Sequence, residues 1–408
     1  MIECVVYLLF GILAGSVTGL IPGLHINTIA LIALGLFYTY SFDPVNLSIF
    51  ILSMGITHSF MDFIPSIYLG APSSDTVLSI QPGHKMLLSG RGFEALALSV
   101  VGGIFGIFFV FVLFAVLFCV VPVVYTYIRS SIPFLLIIVQ VYMIVIEKNK
   151  CGAVLVTFLS AMYGIMLMNT HLISQRYTLF VMLTSLFGIS SLILSYATTN
   201  KLPPQKAHFK IRLRQTLSGS LIGFVGGLVA GTLPGLGSSQ SAILVQKFGR
   251  VKGRKKYITS LGTINTIDIL ISVFSLYMIG KARSGSAIVI REVLEVITLD
   301  NIFLFLGVAL FSTGLASLLT LEMGKVSAAH VHKIDYKKMV LAIILFLAIL
   351  TFVYTGFAGL FICAIGIFIG VLPNLLGTKK SLLMTCLIAP TILYLTGTDC
   401  VVLSMLGL

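Results

Sequence analysis

Apolar runs near the length that crosses a bilayer, roughly 20 residues, alternate along this chain with short polar breaks. They cover 46–70, 95–125, 131–147, 151–168, 178–198, 258–280, 301–321, 337–354 and 356–373, with a shorter run at 381–396. Two further apolar stretches are interrupted by a Pro-Gly pair. The pattern predicts an all-α polytopic membrane protein of about 10–14 membrane segments, some of them broken helices or hairpins. The first apolar run has neither a basic leader nor a small-residue cleavage site, so it reads as part of the membrane body.

The two Pro-Gly breaks share one motif. Gly19-Leu20-Ile21-Pro22-Gly23-Leu24 and Gly231-Thr232-Leu233-Pro234-Gly235-Leu236 lie 212 residues apart, and the same offset pairs Gly11 with Gly223 and Gly15 with Gly227. Further on, Gly70 and Gly280 sit in small polar clusters 210 residues apart. The offset predicts a duplication, with 1–198 as the first membrane repeat, 199–215 as a basic cytoplasmic linker and 216–408 as the second membrane repeat. The loop at 40–44 has no Lys or Arg, whereas its counterpart at 247–256 has six. If only the second is cytoplasmic, the repeats have inverted topology, as in many secondary transporters. Basic residues in both halves (His84, Lys85 and Arg91; Lys281, Arg283 and Arg291) keep a parallel arrangement as the alternative.

Composition agrees with a multi-pass protein of the cell membrane: 58% hydrophobic residues and 10% charged, with mean hydropathy +1.10. The net charge of +13 is concentrated in short loops between apolar runs. It therefore reads as an orientation signal and not as a nucleic-acid surface. The six cysteines have no metal or redox spacing. There is no Gly-Lys-Ser/Thr phosphate loop, no His-Glu-x-x-His and no Cys-x-x-Cys, so neither an enzyme nor a self-contained ATP-driven pump is expected.

Each Pro-Gly break leads into an apolar helix opened by polar residues: His25, Asn27 and Thr28 in the first copy, Gly237, Ser238, Ser239 and Gln240 in the second. A helix start presents free N–H groups and the positive end of its dipole, which suits an anion. As plain caps these residues would need no ligand; their recurrence at membrane depth favours a binding site. The clusters containing Ser73 and Ser74, and Arg283, Ser284 and Ser286, are expected to face them across the repeat axis. Arg283 could hold a carboxylate or phosphate in a bidentate fork, or lie in a cytoplasmic loop. Asp62, Asp75, Asn265 and Asp268 are the candidates for a coupling ion. A carboxylate beside unwound carbonyls suits Na⁺, and one paired with a histidine, such as His25 or His58, suits H⁺. Helix-end positions in water are the alternative for Asp62 and Asp75.

At these residues the chain resembles the large membrane subunit of the tripartite tricarboxylate transporters. The likeness rests on Leu233-Pro234-Gly235-Leu236-Gly237, on Ile21-Pro22-Gly23-Leu24 followed by Thr28-Ile29-Ala30, on Leu69-Gly70-Ala71-Pro72-Ser73, and on Gly90-Arg91-Gly92-Phe93-Glu94-Ala95-Leu96. It implies an inverted repeat with helical hairpins, a central site for organic polyanions such as citrate, and uptake coupled to Na⁺ or H⁺, the only cofactors expected. It also implies a small membrane subunit and an extracytoplasmic binding protein as partners. Departures at His25-Ile26-Asn27 and Lys281-Ala282-Arg283 mark a divergent, stand-alone branch, for which a homodimer is one admissible assembly. The leading expectation is symport of a small di- or tricarboxylate-like anion by alternating access, the two halves rocking around the paired breaks. The alternative is a flippase that moves a polyprenyl phosphate or another lipid phosphate through the same site.

Overall fold

The computed structural model describes residues 2–21, 26–40, 42–70, 80–169, 172–198, 202–206, 211–233, 237–249, 251, 253–282, 284–331 and 336–406. Among them all regular structure is helical. The first half of the chain holds α1 (Ile2–Leu20), α2 (Ile26–Tyr40), α3 (Pro44–Met61), α4 (Ile80–Leu87), α5 (Gly92–Val112), α6 (Phe114–Ile128), α7 (Ile132–Val145), α8 (Lys150–Asn169), α9 (Gln175–Leu183) and α10 (Ser190–Thr198). The second holds α11 (Leu213–Thr232), α12 (Ser238–Phe248), α13 (Arg254–Ile279), α14 (Gly285–Leu294), α15 (Leu299–Val331), α16 (Tyr336–Leu375), α17 (Thr385–Thr396) and α18 (Asp399–Leu406). Among the described residues nine helical segments are long and apolar enough to cross a membrane, or ten if the bent pair Lys380–Thr396 and Asp399–Met405 is one span. The protein is thus an all-α polytopic membrane protein. Helices α2, α4, α12 and α14, of 15, 8, 11 and 10 residues, are too short to span alone and account for further segments of the sequence pattern. Helix α16 is interrupted at Gly356 (φ 64°, ψ −158°), at the boundary between the apolar runs 337–354 and 356–373.

Packing divides the helices into two units. The first takes Met1–Leu69, Leu78–Thr126 and Leu202–Ile334, and the second draws mainly on Tyr127–Lys201 and Asp335–Leu408. Each half of the sequence therefore gives its earlier part to the first unit and its later part to the second. The two cuts, after 126 and after 334, are 208 residues apart, close to the 212 residues that separate the two Pro-Gly motifs.

Within the first unit the glycine pattern finds its physical reason. A methyl group at Gly11 of α1 would lie 2.5 Å from the Phe50 carbonyl oxygen, and one at Gly19 would lie 2.5 Å from Met61 Cβ, both on α3. The same holds for α11 on α13: Gly223 faces the Ser260 carbonyl oxygen at 2.5 Å and Gly231 faces Ile271 Cβ at 2.6 Å. The facing partners, Phe50 with Ser260 and Met61 with Ile271, are themselves 210 residues apart. In lipid, where helices gain little by hiding apolar surface from one another, such close approach is what holds them together. Gly70 and Gly280 both leave their helical segments at φ 66°, a left-handed turn that side chains with a Cβ resist.

Helix α13 joins the two halves. It runs parallel to α5, from Glu94 beside Lys255 to Gly106 against Ile267, and at the crossing Gly102 packs on the Thr259 backbone and Gly262 on the Ser99 backbone. At the start of this pair the buried Glu94 carboxylate binds both Arg91 Nε, at 2.6 Å, and Lys255 Nζ. It runs antiparallel to α3, since Gly55 faces Ile269 while Asp62 meets Asn265. Pro44 and Arg254, the first residues of α3 and α13, therefore lie toward opposite ends. The linker is fastened by Gln205: its Oε1 accepts the Gly92 N–H at 2.8 Å, and its Nε2 donates to the Leu87 carbonyl at 3.0 Å.

Two glycine substitutions separate close approach from mere flexibility. Gly262→Ala drives a methyl into the Ser99 carbonyl and should cost about 1–3 kcal/mol. Gly314→Ala, in α15 with nothing within 4 Å, should be neutral or stabilising by up to about 1 kcal/mol. Thermal unfolding of the two variants in the same detergent checks the contrast.

Candidate functional site

The site begins where α3 breaks. Pro65 has no N–H, so the Met61 carbonyl cannot take its helical hydrogen bond, and the chain continues through the wider π turn Pro65–Leu69. Asp62 closes α3, its N–H bound to the His58 carbonyl at 2.9 Å. Its side chain is buried at this break. A carboxylate here needs hydrogen bonds to offset lost hydration, and Asn265 of α13 supplies them. The Asn265 amide nitrogen donates to both Asp62 oxygens at 3.2 Å and to the Ser59 carbonyl at 3.1 Å. The Ser59 hydroxyl reaches Thr266 Oγ1 at 3.4 Å, next along α13.

The second cluster lies at the start of α12. Ser238 is buried, but its hydroxyl does not serve its own helix; it donates to Asp268 Oδ2 at 2.7 Å. Ser272, one turn on, approaches the other Asp268 oxygen at 3.5 Å. Ser239, Ser241 and Ser286 are buried, and the Ser241 hydroxyl has no partner among the described residues. Gln246 holds the far end of α12 to α13 through Ser260 at 3.0 Å. A carboxylate thus sits at the opening turn of α12, where the helix end is positive. Asn265 and Asp268 are one turn apart on α13, so the two clusters form one polar run across α3, α13 and α12.

Of the residues singled out in the sequence, the structure joins Asp62 to Asn265 and Asp268 to Ser238. Gly237 accepts the Ser241 N–H, and Ser284 caps α14 through the Ala287 N–H and bonds Ser286. His25, Ser73, Ser74, Asp75 and Arg283 lie outside the described residues, as do the side chains of Asn27, Thr28 and Gln240. The structure adds residues the motifs did not mark: Thr18, Ser59 and Ser272. His58 is buried on α3, its Nδ1 3.0 Å from Thr18 Oγ1. It lies 210 residues before Asp268, the same separation as Gly70 and Gly280.

Broken helices in a helical membrane body, with a buried run of carboxylate, amide and hydroxyl groups at the breaks, define a protein of the transporter class. Residues 5–385 match the Tripartite tricarboxylate transporter TctA family, and the chain belongs to that family. The chain is also similar to MJ1079, an uncharacterized protein of Methanocaldococcus jannaschii, at 31% identity over 398 residues, covering 95% of this chain and 98% of that protein. No solved structure matches.

The pairing of Asp62 with Asn265 is open to a direct check. Asn265→Leu should lower stability by about 1.5–3 kcal/mol, the usual range for hydrogen bonds to a charged group. Adding Asp62→Asn should restore part of that, because a neutral amide is cheaper to bury than a carboxylate. Unfolding midpoints of the single and double variants read the coupling.

Proposed function

We propose that the protein is a symporter that moves a small di- or tricarboxylate-type anion together with Na⁺ or H⁺. The observation that carries this reading is the 2.7 Å hydrogen bond from Ser238 to Asp268 at the opening turn of α12. That turn suits an anion, yet the Asp268 carboxylate already sits beside it. In this reading a proton or a cation bound at Asp268 lowers the repulsion that a second anion meets there, so cation and anion are loaded together. Asp62 and Asn265 form the second candidate for the coupling ion, next to the freed Met61 carbonyl. Arg283 is assigned to the anion path on sequence grounds alone.

The antiparallel crossing of α3 and α13, equivalent helices under the 210-residue register, supports an inverted repeat. Both halves are interlocked at the site through α3, α5 and α13, so alternating access does not split them there; the interlocked helices change exposure together, in place of two halves rocking. A small membrane subunit and an extracytoplasmic binding protein remain the partners that family membership suggests. The lipid-phosphate reading rests on Arg283 and Lys281, and nothing among the described side chains favours it over the anion.

Two experiments test the proposal. In the parent protein, citrate should raise the unfolding temperature only with Na⁺ present or at acidic pH. Asp268→Asn should remove that requirement, and a variant that still needs the cation would move coupling to Asp62. In a cysteine-free background, Phe42→Cys and Arg254→Cys should react with impermeant reagents from opposite sides of the membrane. Labelling from one side would rule out inversion.

A further inference from the structure

The second unit contains a buried cation that transport at the α3–α13 crossing does not use. Lys380 is 9% exposed, and its Nζ donates to Ser191 Oγ at 2.7 Å. An ammonium has three donors and a full charge, and a hydroxyl offsets none of that charge. No acidic side chain among the described residues pairs with it. The nearby acid, Glu147, is itself buried and engaged by Lys379 at 3.1 Å. Thr378, two residues before Lys380, also buries a hydroxyl that has no partner among the described residues. Among the described residues, then, nothing supplies the compensating charge.

The surroundings say what kind of anion it is. The turn between α7 and α8 meets the turn after α16, through Lys379 on Glu147 and through Asn149 donating to the Leu376 carbonyl at 3.0 Å. The joined turns carry Lys148, Lys150, Lys379 and Lys380 against the single Glu147. Beside them Val145, Val154 and Leu375 are 58%, 53% and 73% exposed, so the basic turns stand at the edge of an apolar, lipid-facing surface. Lys337, at the start of α16, lies 5.6 Å from the Tyr196 ring at the end of α10, which leads into the basic linker. From that end α10 and α9 cross once and α8 crosses back, which returns the joined turns to the linker's side, cytoplasmic by its charge. Anionic lipids enrich that surface.

We propose that Lys380, together with Lys148, Lys150 and Lys379 of the joined turns, binds the phosphate of an anionic lipid headgroup, as a site on the second unit separate from the transported anion. The phosphate completes the hydrogen bonds of the Lys380 ammonium while the acyl chains lie along Val145, Val154 and Leu375.

The test uses the full-length protein in detergent, with unfolding temperature read against added phosphatidylglycerol, phosphatidylcholine or inorganic phosphate. Phosphatidylglycerol should stabilise the parent, while phosphatidylcholine and free phosphate should not. In Lys380→Met the apparent affinity for phosphatidylglycerol should fall about tenfold or more, with the citrate response kept. Lys148→Gln combined with Lys150→Gln, both exposed positions, should weaken the lipid response in a salt-dependent way and serves as the second variant if Lys380→Met does not fold. Equal lipid responses in parent and variants would overturn the site. A full response to free phosphate would overturn the lipid assignment and leave a phosphate site. Loss of the citrate response alone, with lipid binding intact, would count against the transport reading and not against this one.

Discussion

Backbone contact at glycine governs the first unit. Where α3 meets α1, and where α13 meets α11 and α5, one partner presents a position without a side chain: Gly11 and Gly19 on α1, Gly223 and Gly231 on α11, Gly102 on α5 and Gly262 on α13 itself. In lipid this closeness substitutes for the hydrophobic drive that packs soluble cores. It also determines which groups are dehydrated. A carboxylate enclosed between helices packed this tightly has only the partners its neighbours supply, so positions such as Asn265 and Ser238 become consequential.

The two carboxylates of α3 and α13 are held in different ways. Asp62 ends a helix and receives amide donors from the crossing helix. Asp268 lies within a helix and receives a hydroxyl from the opening turn of another. The first is enclosed, and the second is half-buried beside a helix end that attracts negative charge. The matching positions differ as well: 210 residues before Asp268 of α13, α3 has His58, bonded to Thr18. Two helices in one register thus carry an acid on one and an imidazole on the other.

Much of this was legible in the sequence. The apolar runs marked the spanning helices, the break at 354–356 included; the glycine spacing was read only as a repeat, and its role in close helix contact emerged from the packing. Asp62, Asn265 and Asp268 were visible as polar residues in apolar surroundings. Their pairing was not, because it depends on where two helices cross, and no local pattern encodes a crossing point. The 210-residue register of Gly70 and Gly280 could have led from Asp268 to His58 had it been applied to α3. Lys380 gave no signal, since a lysine beside another lysine after a Gly-Thr turn looks like any solvated loop.

The Gln205 clasp has a consequence for biosynthesis. The first amide of α5 is closed by a side chain 113 residues further along the chain, and the Glu94 carboxylate of the same helix waits still longer for Lys255. The first half therefore leaves the ribosome unfinished, with a helix start open and the Glu94 acid held by Arg91 alone. Its assembly is completed only as the second half is inserted, which ties quality control of the nascent protein to the arrival of α13.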